Sequence, residues 1–139
     1  MQIRPFRDSD EAAVIALWEA AGLTRSWNDP RKDIERKRAV QREGFLVGTV
    51  GDVVMASIMI GYDGHRGWIN YLAVDAAHRG QGHARTLMRE AERLLEAAGC
   101  PKINLQIRSS NASVIAFYQR IGYLQDDVVS FGRRLIADE

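Results

Sequence analysis

The spacing with the clearest chemical consequence is "HRGQGHARTLM", where Gly80 and Gly82 bracket Gln81 directly ahead of an apolar helical stripe. Glycine permits left-handed backbone and lets a ligand approach the main chain. A helix starting near Gly82 turns its unpaired N–H groups, and its positive dipole end, toward that loop. A phosphate or pyrophosphate suits such a place. Arg79 either adds charge or turns away to hold the loop. The same glycines also serve a plain strand-to-helix turn. No Gly-Lys-Ser/Thr follows, so this is not a P-loop. "GQGHAR" also has arginine where the third glycine of a dinucleotide fingerprint belongs.

A second stretch, "RSSNASVIAFYQRIGY", places Asn111 at a helix start and Tyr118 along the helix. Tyr118 shares a stripe with Val114 and Ile121, which alone points to packing. Its phenol, of pKa about 10, is also a workable proton donor. Asn111 suits an N-cap. The tripeptide "HRG" recurs at positions 65–67 within "GYDGHRGWINY". Asp63-Gly64 makes that copy a strand-to-strand turn, with no helix behind it to cradle a phosphate. The one cysteine, Cys100, forms no internal disulfide, and there is no CxxC or Cys/His cluster, so no metal site is expected.

These residues need elements to hold them. "IRPF" reads as a strand, and "DSDEAAVIALWEAAG" as a helix with Asp8 and Glu11 at capping-box spacing and Gly22 at its end. "NDPRKDIERKRAVQREG" predicts a second helix with Asp29 as N-cap, Pro30 in the first turn and Gly44 as its stop. "FLVGTV" and "VVMASIMIGY", joined by Gly51-Asp52, predict a hairpin, and "WINYLAV" a third strand of the meander. Leu87, Met88, Ala91, Leu94, Leu95 and Ala98 form a helical stripe closed by Gly99 and Pro101. "KINLQIR" is a strand, "NASVIAFYQRIG" a helix, and "YLQDDVVSFGRRL" is expected to supply two more strands. One helix between "WINYLAV" and "KINLQIR" requires a parallel crossover. The expectation is a single α+β domain with about seven strands in a mixed, mostly antiparallel sheet and helices on both faces.

With 139 residues, 46% hydrophobic and 27% charged, the composition is that of an ordinary globular domain. A net charge of +1 gives no reason to expect nucleic acid. No apolar run approaches a membrane span, and the charged N-terminal stretch is not a signal peptide, so a cytoplasmic protein without membrane contact is expected. The stretch Arg25 to Glu43 is locally basic, as a solvated helix face would be.

"VDAAHRGQGHARTLM" resembles the acetyl-CoA-binding motif of the GNAT superfamily of N-acetyltransferases, its Q/R-x-x-G-x-G/A pattern reading Arg79, Gly82 and Ala84. "RSSNASVIAFYQRIGY" resembles that superfamily's Asn…Tyr…Gly-Phe/Tyr helix, and the element order agrees over nearly the whole chain. The resemblance implies a GNAT fold and acetyl-CoA as cosubstrate. Its pyrophosphate would be held by Gly80 and by the amides of Gln81, Gly82, His83 and Ala84, with the pantetheine arm between "WINYLAV" and "KINLQIR". It implies a backbone N–H at Leu72, Ala73 or Val74 polarising the thioester carbonyl, as an oxyanion donor does. It further implies Tyr118 as the acid for the leaving thiolate and Asn111 as a contact to the cofactor arm.

The C-terminal motif is most similar to the ribosomal-protein alanine N-acetyltransferases, which carry a glutamate base where this chain has Gln106. Glutamine cannot take the proton, so a water relay at Asn70, Tyr71 or backbone carbonyls is expected in its place. Strand parity sets Trp68, Asn70 and Leu72 on one face and Tyr71 on the other. A weak base favours amines already partly neutral. At pH 7 an α-amine of pKa about 7.8 is roughly one-seventh neutral, and a lysine amine of pKa about 10.4 less than about one in a thousand. "WNDP" with "GYDGHRG" resembles a small bacterial GNAT subgroup of undefined substrate. This makes Trp27, Asn28, Asp29, Tyr62, Asp63, His65 and Asn70 candidate acceptor contacts, and Asp63 or His65 a further candidate for the missing base, His65 having the more suitable ordinary pKa of about 6.5, although turn and helix-start chemistry accounts for several of them. Transfer of acetyl to a primary amine of a peptide or small molecule is therefore expected, with a homodimer left open. A non-catalytic acyl-CoA-binding or sensing module is the alternative.

Overall fold

The structure is a computed structural model, and it describes residues 1–138. One sheet runs in the order β1 (Gln2–Pro5), β2 (Phe45–Val50), β3 (Val53–Tyr62), β4 (Gly67–Val74) and β5 (Ile103–Leu105). Neighbours are antiparallel except β4 and β5, which are parallel. The crossover between those two is α3 (His83–Ala97), as a parallel pair demands. α1 (Glu11–Ala20) and α2 (Pro30–Ala39) cover one face, and α3 with α4 (Ala112–Arg120) cover the other.

The apolar stripes explain the two cores. Val14, Leu17 and Trp18 of α1 and Ile34 of α2 pack on Phe6, Phe45, Val47 and Met59. Leu87, Met88, Ala91 and Leu95 of α3 and Tyr118 of α4 pack on Ile58, Ile60 and Ile69. Gly51 and Asp52 both take positive φ, +52° and +65°, as a two-residue hairpin turn of this hand requires.

Four expectations are corrected. The sheet has five strands rather than seven. Residues 124–138 pair with no strand, because adjacent Asp126-Asp127 and Val128-Val129 give no alternating face. Side-chain contacts hold this tail instead: Lys102 to Asp126 at 2.9 Å, Gln106 to Ser130, and Asp138 to Arg36 at 2.6 Å. Leu124, Val128, Val129, Phe131, Leu135 and Ile136 lie exposed along it. α2 ends at Ala39, since Val40 is extended and Gln41 left-handed (φ +51°). Gly44 serves close approach rather than helix termination, because a Cβ there would lie 2.0 Å from the Ile60 carbonyl oxygen. The first cap is built on Asp10 rather than Glu11. The Arg7 N–H donates to Asp10 Oδ2 (2.8 Å), while Arg4 binds the same carboxylate through both nitrogens at 2.7 and 2.9 Å. Finally, the parity expected along β4 breaks at a bulge.

Candidate functional site

That bulge is the centre of the site. Met59 pairs with Asn70 and Ser57 with Ala73, so Tyr71 and Leu72 together stand opposite the single residue Ile58. Tyr71 takes φ +52°, an unfavourable region for an aromatic residue. Its carbonyl accepts from Ser57 Oγ at 2.8 Å, and Ser57 Oγ accepts in turn from the indole N–H of Trp18 at 2.8 Å. The Tyr71 ring stacks on Trp18, centroids 3.8 Å apart. The extra residue resets the alternation. Asn70 and Tyr71 therefore line one cleft on the α1/α2 face, while Leu72 and Val74 pack toward α3 and α4.

β5 pairs with β4 only from Gly67 to Ile69, so from Asn70 onward β4 has an edge without a strand beside it. The Asp75 N–H donates to Met55 O on β3. Amides alternate sides along a strand, so the Ala73 N–H turns toward β3 and those of Leu72 and Val74 toward the open edge.

The chain leaves the end of β4 through a short turn, Ala76–His78, and enters α3 by way of Gly80 (φ +76°) and Gly82 (φ +80°), with open space where each Cβ would stand. The first helical bond runs from Thr86 N–H to Gly82 O. The amides of residues 81 to 85 accordingly have no acceptor among the described residues. The Arg79 guanidinium donates to Val74 O at 3.2 Å, so it holds the loop to the strand end. His83 faces Gln81 Oε1 at 3.1 Å. An anionic group fits such a cradle, which offers several amides and no carboxylate.

Tyr118 is buried, its hydroxyl 4.0 Å from Met88 Sδ and its ring edge-on to Phe117 and Tyr123. Burial pushes its phenol up to about 12, which keeps it protonated at neutral pH. Asn111 caps α4, accepting from the Val114 N–H at 3.3 Å. Gln106 is exposed and donates to Ser130 Oγ in the tail.

On the other face, a cleft of about 360 Å³ is lined by Asp33, Arg36, Lys37, Val40, Met59, Asn70 and Tyr71. The Tyr71 hydroxyl donates to Asp33 Oδ2 at 2.6 Å and accepts from Asn28 Nδ2 at 3.1 Å. Burial first, and then the Asp33 carboxylate, raise the Tyr71 phenol well above its ordinary value. Burial lowers Lys37, whose ammonium donates to Ile60 O at 2.6 Å. The Asp138 carboxylate accepts from Arg36 and from the Asp29 N–H (2.9 Å), contacts that hold it down at about 2. Arg134 donates to Asn28 Oδ1 at 3.0 Å.

The expected acceptor residues thus divide. Asn28 and Asn70 belong to this cleft. Trp27, beneath the Arg108 guanidinium at 5.8 Å, lines an adjoining cleft with Arg36 and the tail. Asp63 and His65 sit at the β3–β4 hairpin tip. There Asp63 accepts from the His65 and Arg66 amides (2.8 and 2.7 Å) and from Trp68 Nε1 (3.1 Å), contacts that lower it to about 2, the Arg66 amide foremost. The Tyr62 hydroxyl lies 3.4 Å from Gly64 O at the same tip. Sequence reasoning missed Asp33, Arg36 and Ser57. Asp33 reads as an ordinary acid in a helix first turn, and its partner Tyr71 is 38 positions away.

Among the described residues no cluster of His, Cys, Asp or Glu could hold a metal ion, and no helix is long and apolar enough to cross a membrane. Residues 12–123 match the profile of the acetyltransferase (GNAT) family. The chain is 49% identical over 140 residues to an acetyltransferase of Sodalis glossinidius, covering 100% of this chain and 99% of that one. It is 46% identical over 139 residues to an acetyltransferase of Yersinia enterocolitica, with coverage of 100% and 99%. The solved structure of Ard1 from Thermoplasma volcanium superposes with a TM-score of 0.77 at 26% identity, over 88% of this chain and 82% of that one.

Proposed function

The chain belongs to the GNAT family of acetyltransferases, and from that premise we propose that it transfers acetyl from acetyl-CoA to a primary amine, preferring α-amines, by direct attack in a ternary complex. The observation that carries this reading is the row of unbonded amides from Gln81 into the first turn of α3, at the same end of β4 where β5 has diverged. The pyrophosphate takes those amides, with Gly80 and Gly82 keeping the approach open, and the pantetheine arm runs along the free edge of β4 near Asn111. The N–H groups of Leu72 and Val74 face the acetyl carbonyl and stabilise the charge that develops on its oxygen. Tyr118, held protonated, supplies the proton for the departing sulfur. The amine enters from the cleft lined by Asn70, with Asn28 beside it and Trp27 at the rim. Asp63 is committed to its turn and His65 lies at the hairpin tip, so both act at most on the far end of a long acceptor.

The test is steady-state thiol release from acetyl-CoA across α-amino peptides, amino acids, polyamines and aminoglycosides, with lysine peptides as the comparison. Turnover on α-amines above that on lysine peptides near neutral pH supports the reading. Thermal stabilisation by acetyl-CoA without turnover on any amine would instead favour a binding or sensing module.

A further inference from the structure

We propose that Asp33 and Tyr71 form the proton-accepting pair on the acceptor side, Tyr71 relaying a proton from the incoming ammonium group to the Asp33 carboxylate. This inference rests on the acetyl-transfer reading and supplies the base that Gln106 cannot be.

Three observations converge. The bulge turns Tyr71 onto the same face as Asn70, so its hydroxyl reaches the cleft wall. That hydroxyl already points its proton at Asp33 Oδ2, 2.6 Å away, and its oxygen is oriented by Asn28 Nδ2. Tyr71 also immediately precedes Leu72, whose amide faces the open edge, so the relay stands one residue from the proposed carbonyl donor.

Every carboxylate nearby has partners, Asp33 included, which also accepts from Asn28 Nδ2 at Oδ2 and pairs with Arg36 at Oδ1 (3.2 Å); what sets Asp33 apart is its place. Asp138 is bound by Arg36 and the Asp29 amide, and Asp29 caps α2 through the Arg31 N–H. Asp33 is the carboxylate that lines the cleft. The charged groups around it are Arg36 and Lys37 from α2, Asp29 at the helix start, and Arg134 and Asp138 from the tail. β3 contributes Met59 and α1 the neutral Trp18. The raised phenol of Tyr71 stays protonated, as a relay between two other groups must.

In the step, the ammonium nitrogen gives one proton to the Tyr71 oxygen while the Tyr71 proton passes to Asp33. The neutral nitrogen then bonds the acetyl carbon, the carbon–sulfur bond breaks, and the sulfur takes the Tyr118 proton. The extra proton on the amide nitrogen leaves to solvent, from which Tyr118 is restored. Asp33 then releases its own proton, so one proton in all reaches solvent for each acetyl transferred.

The experiment compares Tyr71→Phe and Asp33→Asn with the wild type, using the most rapidly acetylated amine of the panel between about pH 6.5 and 9.5, a range spanning an α-amine pKa of about 7.8. Both variants are expected to lose about 10²-fold in kcat/KM at the acid end. They converge on the wild type at the alkaline end, where solvent has already deprotonated the amine. Acetyl-CoA is expected to raise the Tm of Tyr71→Phe as much as that of the wild type, because the phosphates are held elsewhere. Tyr71→Phe keeps its stacking on Trp18, so it stands as the test even if Asp33→Asn fails to fold. A wild-type-to-variant ratio that stays constant with pH, or loss of the acetyl-CoA stabilisation, overturns the pair while leaving acetyl transfer intact. A wild type inactive on every amine overturns both.

Discussion

Ser57→Ala is the sharpest probe of how the site is held. Ser57 is wholly buried, and its one oxygen serves two elements, accepting from Trp18 Nε1 and donating to Tyr71 O, each at 2.8 Å. Alanine removes both partners at once. The Trp18 indole is itself fully buried, so its N–H finds no water, and the carbonyl at the bulge loses its donor. A buried polar group left unpaired costs about 1–3 kcal/mol, so the two together cost about 2–6 kcal/mol. That is a large share of the roughly 5–15 kcal/mol that holds a domain folded. Denaturant unfolding followed by tryptophan fluorescence measures it, with an unchanged m-value required for the comparison. Trp18→Phe and the double variant close a cycle. In the phenylalanine background, Ser57→Ala strands only the carbonyl and should cost about half as much. Acetyl transfer should fall as well, because the left-handed Tyr71 loses its clamp. A Ser57→Ala variant within about 0.5 kcal/mol of the wild type, the scale of an uneventful surface substitution, would refute the reasoning.

Tyr118→Phe should lower kcat by about 10²-fold or more with little change in Tm, since among the described residues its hydroxyl makes only the 4.0 Å contact to Met88 Sδ; rapid-mix thiol release and a melting curve check the two halves. Gly82→Ala meets no neighbouring atom but forces φ +80° on a Cβ, so it should cost about 1–2 kcal/mol and weaken acetyl-CoA binding, read by calorimetry. Asp10 is held below its ordinary 3.8, chiefly by the Arg4 hydrogen bonds. Its stabilising contribution is therefore complete above that value and lost as pH falls toward the lowered folded one. Asp10→Asn should be destabilised by about 1.5–3 kcal/mol at pH 6, and the gap to wild type should narrow in acid unfolding curves as the pH falls below 3.8.

The legible parts of the sequence were the local ones. Gly51-Asp52 specifies its hairpin, the stripe from Leu87 to Leu95 finds one core, and Gly80 with Gly82 marks a loop whose amides find no acceptor among the described residues, all within a dozen residues of the signal. The bulge was not legible, because no glycine or asparagine announces a left-handed residue at Tyr71. Only long-range partners, Trp18 and Ser57, hold it there. Period-two reasoning therefore separated Asn70 from Tyr71 when the cleft joins them. Asp33 was hidden for the same reason. The tail reads as strands by β-propensity, yet its fixed points are Asp126, Ser130 and Asp138, side chains whose partners lie far away in sequence.

The same bulge sets where the chain tolerates a change of length. Removing either Tyr71 or Leu72 would let β3 and β4 pair without a break and would gain ladder hydrogen bonds. It would also reassign the faces of the residues on one side of the cut, parting Asn70 from Tyr71 or unseating the ring stacked on Trp18. The exposed hairpin tips at Gly51 and Gly64 are where residues can be added or lost at little cost. Between Asn70 and Ala73 a one-residue gap would leave a more regular sheet and a dismantled cleft.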